Sequence, residues 1–248
     1  MSFSIVIPSR NADNLSRCVD AIYDAGETTR IIVVWDGDGP LRVGMNAPWT
    51  VPERGVIEVV RGEKPFCYAR NINIGICAAG DDDVILLNDD ALLKTTNGFT
   101  DMSIACSVQG WGMLGAVTNA VGNPNQLRSA PLPSEMWTVR EEPRQLCFVC
   151  VYIPRSTISA VGMLDERYVD YGLDDDDYSL RVRRAGLRLG VYDGCFVDHG
   201  SLASSFRAPG GRGGDFSANM RRFIEKHGID NWNQPRETSQ FAKLFPPL

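Results

Sequence analysis

Short apolar segments alternate with segments of helical periodicity between residues 3 and 87, and this order most constrains the fold. Apolar, β-branched runs predict strands at residues 3–7, 30–35, 56–60 and 83–87. Helical spacing of apolar residues predicts helices at 13–25 and 66–79. Because a helix that connects two strands usually leaves them parallel, we predict an α/β fold with a Rossmann-like, mostly parallel central sheet flanked by helices.

Polar residues directly follow three of these predicted strands. The clusters are Ser9-Arg10-Asn11, Asp36-Gly37-Asp38 and Asn88-Asp89-Asp90. The carboxyl ends of parallel strands meet at one edge of a sheet, and open α/β sheets bind their ligands beyond that edge. The three clusters therefore predict a ligand site at this edge.

The second half of the sequence has a less regular pattern. We expect a surface excursion at 119–144, a strand at 145–153, a helix at 173–185, two short strands within 187–198, a Gly-rich loop at 208–215 and a helix at 216–227. Acidic residues at the start of the 173–185 helix and arginines at its end match the helix dipole. The 248 residues predict a single large domain with a C-terminal extension.

Charge and hydropathy disfavour two classes of protein. The 25 basic and 31 acidic residues give a net charge of −6, which argues against a protein whose main task is to bind nucleic-acid backbone. No apolar run is long enough to span a bilayer, and the first apolar segment is interpreted as a strand instead of a signal peptide. We therefore expect a cytoplasmic protein without a transmembrane segment.

The seven cysteines have mostly apolar neighbours, which predicts reduced and largely buried thiols. Cys147 and Cys150 have the spacing of a zinc knuckle, but no second pair follows them. Both lie in the strand-like run LCFVCVYI, so packing is favoured over zinc binding.

Two groups of residues could bind a metal ion. Carboxylates at a strand end, as in Asn88-Asp89-Asp90, can hold Mg²⁺ or Mn²⁺ together with diphosphate oxygens, although an Asx turn uses the same residue types. His199 follows a predicted strand, and a neutral imidazole there could complete a metal shell; a structural histidine is the alternative. The other histidine, His227, is expected only to end a helix.

Two further groups could take part in chemistry. Asp174-Asp175-Asp176-Asp177 places four carboxylates side by side, which needs a cation or a function, unless the segment is a solvated helix start. Helical spacing predicts that Asp174 and Asp177 share a face. Arg70, next to Asn71 in a predicted helix, could reach a phosphate, and a surface arginine is the alternative.

Seven short segments together resemble GT-A-fold glycosyltransferases, in particular the family 2 group, over nearly the whole chain. The segments are SIVIPSRN at 4–11, VVWDGDG at 33–39, ARNINIGI at 69–76, VILLNDDALL at 84–93, GMLDERY at 162–168, YGLDDDDYSLRVRRAG at 171–186 and VDHGS at 197–201. Each segment is weakly specific alone, and their common order makes the resemblance specific.

The resemblance implies roles for the residues at the predicted sheet edge. Those that would bind the donor nucleotide-sugar are Pro8, Ser9, Arg10, Asp36, Arg70, Asn71, Asn88 and Asp89. Asp36 would contact the base, commonly uracil, and Arg70 and Asn71 would approach the diphosphate or ribose. In the DxD-like motif Asp90 would bind the metal, and His199 matches a further metal ligand. Asn88 departs from the Asp of that motif, which either weakens metal binding or leaves the metal to Asp90 alone.

The segment YGLDDDD is similar to the WGGEDDD segment of β-1,4-galactosyltransferases. This similarity implies that Asp174 and Tyr171 bind the acceptor and that Asp175 is the catalytic base. Tyr171 and Leu173 replace Trp and Gly of that pattern, and Asp174 replaces Glu, which shortens its reach by one methylene.

The resemblance therefore implies a metal-dependent, inverting glycosyltransferase that uses a nucleotide-sugar, with a UDP-sugar favoured, and Mn²⁺ or Mg²⁺. It implies a catalytic domain at 1–200, with a nucleotide-binding half at 1–95 and an acceptor-binding half at 96–200, and a C-terminal lid loop and helix at 201–248. The acceptor is left open among carbohydrate, lipid, protein and nucleobase. The alternatives are a nucleotidyltransferase of related fold, which usually has a Gly-rich loop that IPSRNAD lacks, and a non-catalytic nucleotide-sugar-binding protein.

Overall fold

The computed structural model describes residues 2–39, 41, 55–169, 172–204 and 216–228. The expected Gly-rich loop at 208–215 and the side chain of Tyr171 lie outside the described residues.

The described part of the chain forms nine strands and six α-helices. The strands are β1 (Phe3–Ser9), β2 (Arg30–Trp35), β3 (Ile57–Arg61), β4 (Asp83–Leu87), β5 (Leu92–Leu93), β6 (Met113–Thr118), β7 (Val139–Glu141), β8 (Cys150–Ile153) and β9 (Leu189–Asp198). The helices are α1 (Ala12–Asp24), α2 (Tyr68–Ala78), α3 (Gly98–Gln109), α4 (Arg155–Val161), α5 (Asp174–Arg184) and α6 (Phe216–His227), and a 3₁₀ turn lies at Ser134–Met136.

All strands belong to one sheet in the order β3-β2-β1-β4-β8-β6-β9-β5, with β7 paired to β9. The four strands of the N-terminal half, β3, β2, β1 and β4, are parallel, as predicted. In the second half the sheet is mixed, because β8 runs antiparallel to both β4 and β6, whereas β6 and β9 are parallel. The result is an α/β domain with a central sheet covered by helices.

Two predictions for the second half are corrected by the structure. Residues 187–198 contain one strand, β9 (Leu189–Asp198), and not two. Its register against β6 jumps from Tyr192 to Phe196, so the Asp-Gly-Cys residues between them form a bulge instead of a turn. Asp193 in this bulge is neutralised by Arg140, whose Nη2 lies 2.8 Å from Asp193 Oδ1, and so the acidic residue stays within the strand.

The strand predicted at 145–153 is shorter, since β8 begins only at Cys150. The preceding backbone bonds to side chains instead: Cys147 N–H donates to Gln126 Oε1 at 2.7 Å. The expected excursion at 119–144 is also anchored, because it contains β7, and Glu142 Oε2 accepts a hydrogen bond from Asn125 at 2.6 Å.

The core lies on both faces of the sheet. On one face α1 and α3 pack against the strands, and on the other face α2, α4 and α5 do so. Close approach of α2 depends on Gly75, since a Cβ there would lie 2.2 Å from Val6 Cγ1. This packing brings the first turn of α2 to the carboxyl edge of the sheet.

In the part of the chain that the structure describes, no helix is long and apolar enough to cross a membrane. All seven cysteines are free thiols, and five are buried, as predicted. Cys147 and Cys150 belong to no metal-binding group of three or more His, Cys, Asp or Glu residues within the described ranges.

Candidate active site

The polar residues that follow β1, β2 and β4 meet at the predicted edge of the sheet. Asp36 N–H donates to the carbonyl of Ser9 at 3.0 Å, which ties the end of β2 to the end of β1. Ser9 Oγ donates to Asp89 Oδ2 at 2.6 Å, and both side chains are buried. Pro8 is also buried, whereas Arg10 is exposed beside this edge.

Asp90 and His199, which are 109 positions apart in the sequence, face each other with 3.2 Å between Asp90 Oδ1 and His199 Nε2. The other ring nitrogen, Nδ1, lies 2.7 Å from the carbonyl oxygen of Ala120. A carbonyl can only accept a hydrogen bond, so Nδ1 carries a proton, and in the neutral form of the ring Nε2 then presents its lone pair. A carboxylate and an imidazole lone pair that face each other need a proton or a cation between them.

Asp90 and His199 offer ligand atoms that fit a divalent cation whose coordination shell is completed by a bound ligand. The described residues contain no group of three or more His, Cys, Asp or Glu side chains that could hold a metal ion without help. One carboxylate oxygen and one imidazole nitrogen leave most of the shell of Mn²⁺ or Mg²⁺ open, and diphosphate oxygens are ligands that these ions prefer. Asp90 and His199 therefore fit a cation that arrives with, or is completed by, a diphosphate.

Asp36 presents a buried carboxylate oxygen to the same edge. Its Oδ1 has no hydrogen-bond partner among the described residues, while Oδ2 accepts from Asn71 Nδ2 at 3.3 Å. Burial raises the pKa of Asp36, and the Asn71 bond and the charges of Arg10 and Lys64 partly offset that rise. Asn88 Oδ1 is likewise buried without a partner in this part of the chain.

Asn71 and Arg70 are engaged by neighbours. Asn71 is fully buried, and its Oδ1 accepts from Glu63 N–H at 3.2 Å, so the structure places it as a support for Asp36. Arg70 Nε lies 3.3 Å from a carboxylate oxygen of Glu166 and 3.7 Å from one of Glu63. Any contact of these two residues with a diphosphate remains a prediction.

The acidic end of α5 holds a pair of carboxylates with raised pKa values. Asp174 and Asp175 are half-buried in the first turn of the helix, where Asp175 Oδ1 accepts from Asp176 N–H at 3.0 Å. Burial and then the charge of Asp175 raise the pKa of Asp174 to about 7. Burial also raises the pKa of Asp175, against the backbone N–H groups of Asp176 and Phe148, which favour its ionised form. The two groups titrate as a coupled pair.

Tyr68, in the first turn of α2, lies within reach of the charges of Asp174 and Asp175 and also of the charge of Asp90. Burial raises its pKa well above the usual value, and the negative charges of Asp174, Asp175 and Asp90 add to that rise. Its hydroxyl donates to the carbonyl of Phe148 at 3.2 Å. The charges of both acidic groups therefore act on the same side chain. Sequence reasoning missed Tyr68, although it stands directly before the ARN segment.

The prediction that Asp174 and Asp177 share a face stays a prediction, and it agrees with the charge of Asp177 being one of the causes that raise the pKa of Asp174. Asp177 is fully buried and contacts Lys226 and His227 of α6. His227 does more than end that helix, because its Nε2 lies 2.7 Å from Asp177 Oδ1.

Comparison with known proteins is consistent with this geometry. Residues 4–96 match the model of the Glycosyl transferase family 2, which is less than half of the chain but includes β1 to β5 and the three polar clusters. A search of curated proteins found no match.

Solved structures match over almost the whole chain at low sequence identity. GalNAc-T7, solved with UDP, GalNAc and Mn²⁺, matches with a TM-score of 0.68 and 13% identity over 98% of this chain, and this chain spans 54% of that protein. The mannosyltransferase PcManGT from Pyrobaculum calidifontis, solved with GDP-Man and Mn²⁺, matches with a TM-score of 0.66 and 16% identity, covering 98% of this chain and 68% of that one. S. aureus TarS residues 1–349 with UDP-GlcNAc matches with a TM-score of 0.63 and 14% identity, covering 99% and 70%.

These identities establish the fold alone. The sheet order and the position of the site at the carboxyl edge of the strands agree with these matches. The chain therefore has the GT-A glycosyltransferase fold, with a segment similar to family 2 at residues 4–96.

Proposed function

We propose that this protein is a metal-dependent glycosyltransferase that moves a sugar from a nucleoside-diphosphate sugar to an acceptor hydroxyl. One observation carries the proposal. Asp90 Oδ1 and His199 Nε2 lie 3.2 Å apart at the carboxyl edge of the strands that belong to the family 2-like segment. The Asp174–Asp175 pair lies close enough for its charge to act on the same tyrosine as that of Asp90. A cation site and a base that share one space are what sugar transfer from a diphosphate leaving group requires.

In this proposal residues 1–95 bind the donor nucleotide-sugar, and the nucleobase of the donor contacts Asp36. Only Oδ1 of Asp36 is free among the described residues, because Asn71 occupies Oδ2. One free carboxylate oxygen suits the single ring N–H of uracil, whereas guanine offers two adjacent donors to a carboxylate. This favours a UDP-sugar, and the UDP and UDP-GlcNAc complexes of GalNAc-T7 and TarS agree with it, although PcManGT holds GDP-Man.

The metal is held by Asp90 and His199. When bound, Mn²⁺ or Mg²⁺ offsets the negative charge that grows on the leaving diphosphate. Ala120 keeps the His199 proton on Nδ1 and thereby leaves Nε2 as a ligand atom. Ser9 fixes Asp89, which with Asn88 and Arg10 would bind the ribose and sugar part of the donor.

Asp175 acts as the base. It takes the proton of the acceptor hydroxyl while the acceptor oxygen bonds to the anomeric carbon of the donor sugar. The bond from that carbon to the diphosphate oxygen breaks, and the nucleoside diphosphate leaves with the electron pair. A single displacement of this kind inverts the configuration. The raised pKa of Asp175 makes it a stronger base than an ordinary aspartate, while the N–H groups of Asp176 and Phe148 keep it available in ionised form.

In this proposal residues 96–200 form the acceptor side, where Asp174 and Tyr171 bind the acceptor. The acceptor class stays open among carbohydrate, lipid, protein and nucleobase, and a cytoplasmic location stays a prediction.

The test measures release of nucleoside diphosphate from a panel of nucleotide-sugars with Mn²⁺, in the absence of an acceptor. We expect slow hydrolysis of a UDP-sugar, and a loss of about 10²- to 10⁴-fold in Asp175→Asn, as for removal of a general base. Asp101→Asn is the matched control, since Asp101 lies in the first turn of α3 and burial also raises its pKa. Hydrolysis that is unchanged in Asp175→Asn would contradict the assigned base, and absence of both hydrolysis and thermal stabilisation by every nucleotide-sugar would contradict the function.

A further inference from the structure

The turn that carries His199 is tied to Asn119, the residue that follows β6. Asn119 Oδ1 accepts from the backbone N–H of His199 at 2.9 Å and from that of Gly200 at 3.0 Å. Asn119 Nδ2 donates to Asp198 Oδ1 at 2.8 Å. One amide therefore binds three consecutive residues at the end of β9.

The next residue orients the imidazole itself. The carbonyl of Ala120 accepts from His199 Nδ1 at 2.7 Å, and this bond turns Nε2 toward Asp90. Asn119 and Ala120 thus hold both the backbone and the ring of His199 from one short segment.

The chemistry of this tether is specific to an amide. Oδ1 of Asn119 serves two N–H donors, and Nδ2 supplies a donor to a carboxylate. An aspartate could accept the two N–H groups but would repel Asp198, and an apolar residue could do neither. Asn119 and Gly200 are exposed, and Asp198 and His199 are only partly buried, so hydrogen bonds help to hold the turn in place.

We propose that Asn119 is a positioning residue that sets the affinity of the site for its divalent cation, by holding His199 Nε2 opposite Asp90. This inference rests on the proposed function, because it assumes that His199 is a metal ligand. Outer partners that orient a metal-binding histidine typically contribute 10- to 100-fold in metal affinity. Asn119 acts on the cation only through His199, so its loss should weaken cation binding more than it slows the reaction once the cation is saturating.

The experiment measures Mn²⁺ binding from the electron paramagnetic resonance signal of free Mn²⁺, with the whole protein and with UDP present. We expect Asn119→Ala to weaken Mn²⁺ binding by about 10-fold, and Asn119→Asp to do so at least as strongly. The double variant Asn119→Asp with Asp198→Asn restores a donor and an acceptor in exchanged positions, and it should recover most of the lost affinity. Thr138→Ala is the matched control, because it also removes one side-chain hydrogen bond to a β9 carboxylate, 2.9 Å from Asp193, away from the metal pair.

Three results are distinguishable. Weaker Mn²⁺ binding in Asn119→Ala, recovery in the exchanged pair and no change in Thr138→Ala would support the positioning role. Unchanged Mn²⁺ binding in Asn119→Ala, with binding intact in the wild type, would overturn this inference and leave the proposed function standing. Failure of the wild type to bind Mn²⁺ in the presence of UDP would overturn the metal site, and this inference with it. Melting temperatures of all variants separate a weakened turn from a weakened fold.

Discussion

His227 on α6 and Asp177 on α5 form a buried hydrogen bond of 2.7 Å between His227 Nε2 and Asp177 Oδ1. Arg184 Nη1 lies 2.8 Å from His227 Nδ1. An arginine can only donate, so Nδ1 must accept and the ring proton is on Nε2, where it is donated to Asp177. Helix α6 is therefore docked through this histidine onto the helix that carries the acidic pair.

Loss of Asp177 should destabilise the whole domain. Arg181 and Lys226 approach the same buried carboxylate at 2.9 and 2.6 Å, and with His227 they hold the pKa of Asp177 low although burial opposes its ionisation. We expect Asp177→Asn to lower the free energy of unfolding by about 3–5 kcal/mol, as when one partner of a buried ion pair is removed. Denaturant unfolding checks this.

Lys64→Ala is the matched control for that measurement, because it removes an ion pair with Asp38 at the surface. Exposed pairs contribute about 0–1 kcal/mol, so this variant should unfold close to the wild type. A loss in Asp177→Asn no larger than that of the control would contradict a structural role for the α5–α6 contact.

Asp36 should be tested through the nucleotide alone. If its free Oδ1 accepts a hydrogen bond from the base, Asp36→Ala should weaken UDP binding by about 10- to 100-fold, as for loss of a hydrogen bond to a charged group. Pyrophosphate binding should stay unchanged. Titration calorimetry with both ligands measures the difference, and Asp81→Ala is the control, because Asp81 is exposed and lies just before the start of β4, at the opposite edge of the sheet. Equal losses for UDP and pyrophosphate would show that Asp36 does not recognise the base.

The acidic pair predicts an unusual pH dependence of activity. Asp175 must be ionised to act as a base, and burial raises its pKa, so kcat/KM should fall as the pH is lowered through a range above the ordinary titration of aspartate. Asp174, whose pKa is raised to about 7, is already protonated when Asp175 takes up its proton, so Asp174→Asn should leave this acid limb where it is. A pH–rate profile of the two proteins checks this, and an acid limb that moves to lower pH in Asp174→Asn would contradict this order of titration.

The same pair predicts the sign of a stability change. The pKa of Asp174 is raised to about 7 in the folded protein, so the folded state binds more protons than the unfolded state between the two pKa values. Stability is therefore lost as the pH rises through this interval. Asp174→Asn should melt at about the same temperature as the wild type below about pH 3, where Asp174 is protonated in the folded and the unfolded state, and at a higher temperature near pH 8. A variant that is less stable at the higher pH would contradict the assignment.

The nucleotide-binding half of the molecule, residues 1–95, was largely predictable because its strands and polar clusters are visible in short stretches of the sequence. Continuous apolar runs ending in polar clusters predicted β1, β2 and β4 and the meeting of Ser9, Asp36 and Asp89 at one edge. The approach of Asp90 to His199 required the resemblance, since nothing in the spacing of residues this far apart reveals that β5 and β9 pair.

The features that sequence reasoning missed depend on partners far apart in the chain. Asp193 lies in an apparent turn, and neither the bulge of β9 nor the ion pair with Arg140 is visible in the local sequence. His227 has the pattern of an ordinary helix end, and only its contact with Asp177 reveals its role. Asn119 resembles any loop residue until β6 and β9 bring it beside His199. In each case the side chain is common in its local setting, and tertiary contacts decide what it does.

The central claim is that Asp90 and His199 hold a divalent cation for the donor diphosphate, and Mn²⁺ binding in the presence of UDP tests it most directly. We predict that the wild type and Asp101→Asn bind Mn²⁺ with the same affinity, and that Asp90→Asn and His199→Gln each lose at least about 10-fold, since each removes one ligand supplied by the protein. Mn²⁺ binding that is equal in all four proteins would contradict the account.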